Sequence, residues 1–176
     1  ALMRDRGCEY VIMEVSSHAL DQRRVYNLEF EAAIFTNLTQ DHLDYHITMD
    51  NYMVAKKRLF DMCKTAVINI DDAYAEKMSE GIACKTVTYS EKRNDSTYSA
   101  NGINLRPDGI EYELVGYNFI KHIKIKTGGR FSVYNSLCAA VCAMELGFDI
   151  DTVVKAFGKI EGVKGRAEVL YSDEDY

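Results

Sequence analysis

"TAVINIDDAYAEKMSEGIACKTVTYS" (residues 65–90) is the stretch from which the architecture can be read. "TAVINIDD" (65–72) reads as a strand, "AYAEKMSEGI" as a helix and "KTVTYS" (85–90) as a further strand. Strand, helix and strand in this order are the rhythm of a parallel sheet covered by helices. The same rhythm runs upstream. "EYVIMEV" (9–15) is a near-continuous apolar run, the pattern of a strand buried on both faces. "SSHALDQRRVYNL" reads as a serine-started helix or turn, and "AAIFTNLT" (32–39) as a second buried strand. "TMDNYMVAKKRLFDMC" (48–63) predicts a helix with Thr48 as its N-cap. Downstream the rhythm changes. Residues 97–127 alternate around "RPDG" and "VGYN", which reads as antiparallel hairpins, with the single proline, Pro107, in a turn. Two helices follow, 131–148 and 149–160, with Gly147 ending the first, and "GRAEVLY" (165–171) reads as a closing strand. The fold class is therefore α/β: a mostly parallel sheet flanked by helices, with an antiparallel β-hairpin segment.

A chain of 176 residues suits one domain, which at this size buries roughly 70% of its unfolded surface. Apolar residues make up 47% and charged residues 27%, an ordinary globular composition. The net charge of −6, with both signs mixed along the chain, argues against a nucleic-acid partner, which leaves a basic stripe. It does not exclude a local phosphate pocket. The five cysteines are odd in number and form no CxxC pair, and Cys138 and Cys142 read as small buried thiols in an Ala-rich helix. Free thiols without a signal peptide point to a reducing cytoplasm. No apolar run approaches the roughly 18 residues that span a bilayer, so no membrane insertion is expected. The chain opens at "ALMRDRGCEYVIMEV" without an initiator Met and stops at the polar "YSDEDY", which reads as a piece of something longer.

In an open parallel sheet, ligands bind beyond the carboxyl ends of the strands. Glu14 ends the first expected strand and Asn37 the second, and Asp41 and His42 follow within a few residues. Glu14, Ser16, Ser17, His18, Asn37, Asp41 and His42 are thus expected on one edge. A carboxylate and an imidazole there suit a divalent cation, although "TNLTQDHLDYH" (36–46) also reads as a polar loop closing a strand. His42 and His46 are four apart, but Thr48 caps the next helix, so His46 reads as a polar loop residue and not as part of a chelate. On the 48–63 helix, Met49, Tyr52, Met53, Leu59 and Phe60 form the apolar stripe, and Lys56 falls in its middle while Lys57 and Arg58 point away. An inward lysine is either a neutral, reactive amine or a stem with its head snorkelling out. The chain contains no GxxxxGK[ST] and no GxGxxG, and "KTGGRF" (126–131) reads as a turn.

Taken in order, "EVSSHAL", "FTNLTQDHLDYH", "YMVAKKRLF", "FSVYN" and "GVKGRAEVL" resemble the Mur ligases, closest to the MurE branch, which adds the third amino acid in peptidoglycan synthesis. The resemblance runs from about residue 8 to 170. It implies that residues 1–170 are the central, ATP-binding, P-loop NTPase-like domain, lacking its first strand and P-loop. Residues 171–176 would begin the linker to an absent C-terminal domain, and the fragment would be inactive alone. Glu14 and His42 match the family's magnesium-binding pair, and Lys56 matches a lysine carbamylated by carbon dioxide that helps hold a second magnesium. Ser16, Gln22 and Arg24 match positions that bind the muramoyl-dipeptide. Asn135 matches the adenine contact, and Arg166 the arginine that approaches the nucleotide. The implied substrates are ATP, UDP-MurNAc-L-Ala-D-Glu and either L-lysine or meso-diaminopimelate. The implied setting is the bacterial cytoplasm, with a monomer when intact. Three rival readings stand beside it: a related amide ligase of the folylpolyglutamate synthase type, a metal-dependent hydrolase built on Glu14 and His42, and a non-catalytic ligase-like domain.

Overall fold

The structure is a computed structural model that describes residues 2–41 and 43–162. Its strands are β1 (Phe30–Phe35), β2 (Cys63–Asn69), β3 (Lys85–Ser90), β4 (Tyr98–Arg106), β5 (Gly109–Val115) and β6 (Ile120–Ile125), side by side in chain order. β1, β2 and β3 run parallel, while β4, β5 and β6 form an antiparallel meander. The helices are α1 (Leu2–Asp5), α2 (Ser17–Asp21), α3 (Leu43–His46), α4 (Met49–Lys57), α5 (Ala75–Ser79), α6 (Phe131–Glu145) and α7 (Ile150–Phe157).

β2 is the spine of the sheet because both its faces are covered. Ala66 and Ile68 face a core made with Phe35, Tyr52, Phe60 and Met78. Val67, pointing the other way by the two-residue alternation of a strand, joins Tyr112, Leu114, Val133 and Leu137. α4 and α5 thus cover one face of the sheet, and α6 and α7 the other. The antiparallel half is covered on one side only. β5 buries Ile110, Tyr112 and Leu114 and turns Glu111 and Glu113 outward, where Glu111 meets Lys124 at 2.8 Å.

The junction between the halves is unusual. Parallel neighbours normally need a crossover of about a dozen residues, yet only residues 91–97 separate β3 from β4. The two strands pair only at Tyr89 with Tyr98 and Ser90 with Ser99, so β4 begins beside the end of β3 and continues in the same direction. The sidestep is stapled where Thr88 N donates to Thr97 Oγ1 at 3.2 Å and Thr97 N donates to Thr88 Oγ1 at 2.9 Å.

Several local expectations hold. Thr48 Oγ1 caps α4 by accepting from Asn51 N at 3.2 Å. Gly147, at φ +94°, ends α6, and Phe148 N donates back to Ala143 O at 3.1 Å, the six-residue closure of a left-handed cap. Pro107 sits in the tight turn between β4 and β5. All five cysteines are free. Burial and the neighbouring Cys84 thiol push the Cys63 thiol up to about 12, which keeps it protonated and inert at neutral pH.

Others are corrected. Residues 9–15 are not a strand: they run outside the sheet, with Ile12 99% exposed. A strand of that composition needs a hydrogen-bonded neighbour and cover on both faces, and the described residues supply neither. Their sheet ends at β1. The 48–63 helix is α4 followed by a tighter 3-10 turn over Arg58–Met62, which lets the chain enter β2 at Cys63. The strand expected at 32–39 is β1, and residues 36–39 have already left the sheet. The expected strand 165–171 lies outside the described residues.

Candidate functional site

β1, β2 and β3 are parallel, so Phe35, Asn69 and Ser90 end on one edge of the sheet, and the segments that follow meet there. Asn69 Nδ2 donates to Thr36 O at 2.8 Å, and Asn69 Oδ1 accepts from Asp71 N at 3.0 Å. Asp72 accepts from Leu38 N at 3.0 Å and from Tyr74 N at 2.9 Å. The loop after β1 is therefore held over the end of β2 by two side chains that the sequence reading did not single out. The signal was available: "NIDD" stands at a strand's carboxyl end, just as Asn37 does.

Lys56 faces inward from α4. With Val15, Leu20, Phe35, Asn37 and Phe60 it lines a partly open pocket of about 50 Å³, ample for water. Its Nζ lies 5.4 Å from the centre of the Tyr52 ring. Its neighbours are engaged elsewhere: Lys57 Nζ donates to Lys77 O at 2.6 Å, and Arg58 pairs with Asp21 at 2.9 Å. Burial lowers the Lys56 pKa below the ordinary lysine value, more than the carboxylates of Glu14, Asp41 and Asp72 raise it. The result is a half-buried amine within electrostatic range of three carboxylates, biased toward its neutral form. Glu14 thus lies within electrostatic range of Lys56 even though its segment is not a strand.

α2 flanks this pocket. Ser16 is its N-cap, with Oγ accepting from Ala19 N at 3.1 Å. Ser17 is buried, and its Oγ shares a 2.9 Å hydrogen bond with His46 Nε2. This corrects the reading of His46 as a polar loop residue: it is 6% exposed, ends α3 and stacks on Tyr52 at 5.3 Å between ring centres. Its burial comes from Ser17 and Tyr52, tertiary partners that its own loop composition does not reveal. The His18 ring lies 4.2 Å from that of Tyr45. Tyr45 and Arg58 both donate to Asp21, at 2.7 and 2.9 Å, and hold its carboxyl below the usual carboxylate range. Gln22 and Arg24 lie exposed on the turn leaving α2.

Asn135 is not part of this cluster. It sits on the exposed side of α6, which packs on the opposite face of the sheet from α4. It is still near the same edge, because Tyr134 OH reaches over to donate to Asp71 Oδ2 at 3.0 Å. His42 and Arg166 lie outside the described residues. Among the described residues, no three His, Cys, Asp or Glu side chains group closely enough to hold a metal ion, and no helix is long and apolar enough to cross a membrane.

Comparison with known proteins converges on one family. Residues 1–143 match the model of the Mur ligase middle domain. The UDP-N-acetylmuramoyl-L-alanyl-D-glutamate–2,6-diaminopimelate ligase of Syntrophomonas wolfei is 41% identical over 100% of this chain and 37% of its own length. The enzyme of the same name from Bacillus velezensis is 40% identical over 99% of this chain and 37% of its own. A solved structure bearing that enzyme name superposes with a TM-score of 0.88 at 34% identity, covering 97% of this chain and 36% of the other. MurF from Acinetobacter baumannii shares the fold at a TM-score of 0.74 and 19% identity, covering 81% of this chain and 32% of its own. The chain thus spans little more than a third of the length of the relatives it matches.

Proposed function

This chain belongs to the Mur ligase family, matching its middle domain, and from that premise we propose that it is part of an ATP-dependent ligase acting on UDP-MurNAc-L-Ala-D-Glu in the bacterial cytoplasm. The amino acid added is 2,6-diaminopimelate, in preference to L-lysine, because the relatives at about 40% identity carry that name. The observation that carries the proposal is Lys56, a half-buried amine beside a small pocket and within electrostatic range of Glu14, Asp41 and Asp72.

The D-glutamate side-chain carboxylate attacks the γ-phosphorus of ATP. ADP leaves, and the acyl phosphate that remains is attacked by the amino group of the incoming amino acid, forming the amide and releasing phosphate. Most of the acceleration is positioning and charge neutralisation. A neutral Lys56 attacks carbon dioxide. A C–N bond forms as one C=O π bond of carbon dioxide breaks, the nitrogen loses a proton to solvent, and the neutral amine becomes a carbamate anion. By the family match, Glu14 and His42 would hold one magnesium and the carbamate would help hold a second, the carboxylate and carbamate oxygens being hard donors of the kind that suit this ion. They would hold these ions where they neutralise phosphate charge. Ser16, Gln22 and Arg24 receive the muramoyl-dipeptide, and Asn135 and Arg166 the nucleotide, by their match to the family motifs.

The test is phosphate release by the full-length protein given ATP, magnesium and UDP-MurNAc-L-Ala-D-Glu, with diaminopimelate or lysine added separately. Release that requires the dipeptide and diaminopimelate is expected. No release with either amino acid from a folded full-length enzyme would overturn the assignment.

A further inference from the structure

The geometry points to His46 as a positioning residue: through Ser17 it sets the first turn of α2 against α4, and so sets how tightly the UDP-linked dipeptide is bound. The inference rests on the function proposed above, which places the dipeptide at Ser16, Gln22 and Arg24, and concerns a residue with no role assigned there.

Four observations converge on His46. Its imidazole is buried and shares a hydrogen bond with Ser17, a residue only 1% exposed, immediately after the α2 cap. Its ring stacks on Tyr52, over whose ring Lys56 Nζ also lies, so one side chain touches α2 while stacking on the helix that carries the reactive amine. Its backbone carbonyl is clamped by Asn51 Nδ2 at 3.0 Å and Thr48 N at 2.8 Å, both at the start of α4. The next residue, Ile47, is held at φ +68°, a left-handed conformation that a β-branched side chain rarely adopts. Such strain persists only where the surroundings over-determine it. The clamps on His46 O provide that over-determination, and they hold the backbone from which the imidazole enters between α2 and α4.

The mechanical consequence is specific. Ser17 Oγ anchors the first turn of α2 on its buried side, while buried Leu20 and the Asp21 bonds to Tyr45 and Arg58 hold its last turn, and Ser16 precedes Ser17 by one residue. With the His46–Ser17 bond gone, the first turn of α2 is free to shift while α4, capped by Thr48, keeps Lys56 in place. Substrate binding weakens and the chemistry on bound substrate is kept.

The test uses the full-length enzyme and its His46→Ala, His46→Gln, Ser17→Ala and His46→Ala/Ser17→Ala variants. Affinity for UDP-MurNAc-L-Ala-D-Glu is measured by calorimetry without ATP, and kcat and KM by phosphate release. His46→Ala is expected to weaken dipeptide binding and raise its KM about tenfold, the factor for one lost buried hydrogen bond, with kcat within about threefold of the parent. His46→Gln, whose amide reaches the place of Nε2, is expected to recover most of the affinity and guards against simple misfolding of the alanine variant. The double variant should be no worse than either single one, because both remove the same bond. Unchanged affinity in His46→Ala, a fall in kcat with KM unaltered, or additive losses in the double variant would each overturn the inference. Failure of the parent enzyme to bind the dipeptide would instead sink the functional proposal itself.

Discussion

In the antiparallel half of the sheet and the helices after it, every described left-handed backbone position is a glycine: Gly102, Gly129, Gly147 and Gly162. In the parallel half and its approaches, Gly7 and Gly81 are joined by Arg23, Asn27 and Ile47, which hold positive φ without that freedom. The contrast extends to burial. β5 alternates inward apolar and outward acidic residues as a one-sided sheet should. Around β1, by contrast, a lysine on α4 is half-buried beside a pocket. A fold obeys local rules where it needs only to be stable and breaks them where it must hold chemistry. The half with the strained turns and the half-buried amine is the half with the candidate site.

The contrast is tested hardest at Lys56. Lys56→Met, similar in length and uncharged, is expected to lower ligase activity of the full-length enzyme by more than about a thousandfold, the scale for losing electrostatic stabilisation of a transition state. The same change should stabilise the fold by about 0.5–2 kcal/mol at neutral pH, as removal of a functional liability commonly does. The sign follows from the lowered lysine pKa. Below its folded pKa the half-buried ammonium weakens the fold. That penalty fades as pH rises through the folded value toward the ordinary lysine value of 10.5, where folded and unfolded chains are both neutral. The stabilisation should therefore shrink in alkaline melts. A Lys56→Met variant that is both active and no more stable would erase the distinction between the halves.

The opposite behaviour is expected at Leu137, fully buried on α6 against β5. Leu137→Ala should cost about 2–5 kcal/mol, the range for a core leucine, read from chemical denaturation, and should leave dipeptide affinity of the folded enzyme intact. Asp72 stands between these cases. Asp72→Ala strips the acceptor from Leu38 N and Tyr74 N and should cost about 1–3 kcal/mol. It also removes one of the acids that raise the Lys56 pKa. The variant should accordingly be less stable while its Lys56 is neutral at lower pH, which 13C-labelled bicarbonate and NMR of the carbamate would detect.

These residues differ in how far they were legible in the sequence. Lys56 was readable because helix periodicity fixes direction, and α4 is a regular capped helix. The hairpins of β4–β6 were readable because turn residues and alternation agree. Glu14 comes within electrostatic range of Lys56 although its segment carries the composition of a buried strand and finds no partner in the described sheet. Asn69 and Asp72 obey the same strand-end rule that singled out Asn37. His46 was not legible at all, since its burial depends on Ser17, 29 residues away. Local pattern reports on neighbours in sequence, and His46 is made by neighbours in space.

The smallest predicted effect bears most directly on whether strain marks the site. Ile47 is 78% exposed and makes no core contact that a smaller residue would forfeit. Its N–H donates to Leu43 O at 2.9 Å, a bond that any residue but proline preserves. Ile47→Gly therefore relieves a left-handed β-branched residue, worth about 1–2 kcal/mol. It adds unfolded-state freedom that costs about 0.4–1 kcal/mol. The balance favours the variant by about 0.5–1 kcal/mol, a rise in melting temperature of about 1–4 °C for a chain of this size. The clamps on His46 O come from Asn51 and Thr48 and survive the change, so dipeptide affinity should stay within about twofold of the parent. A stability gain with affinity kept would mean that the strain is a tolerated by-product of placing His46. A gain accompanied by weakened binding would mean that the stiff isoleucine itself holds His46 against Ser17, making the strained turn a working part of the site.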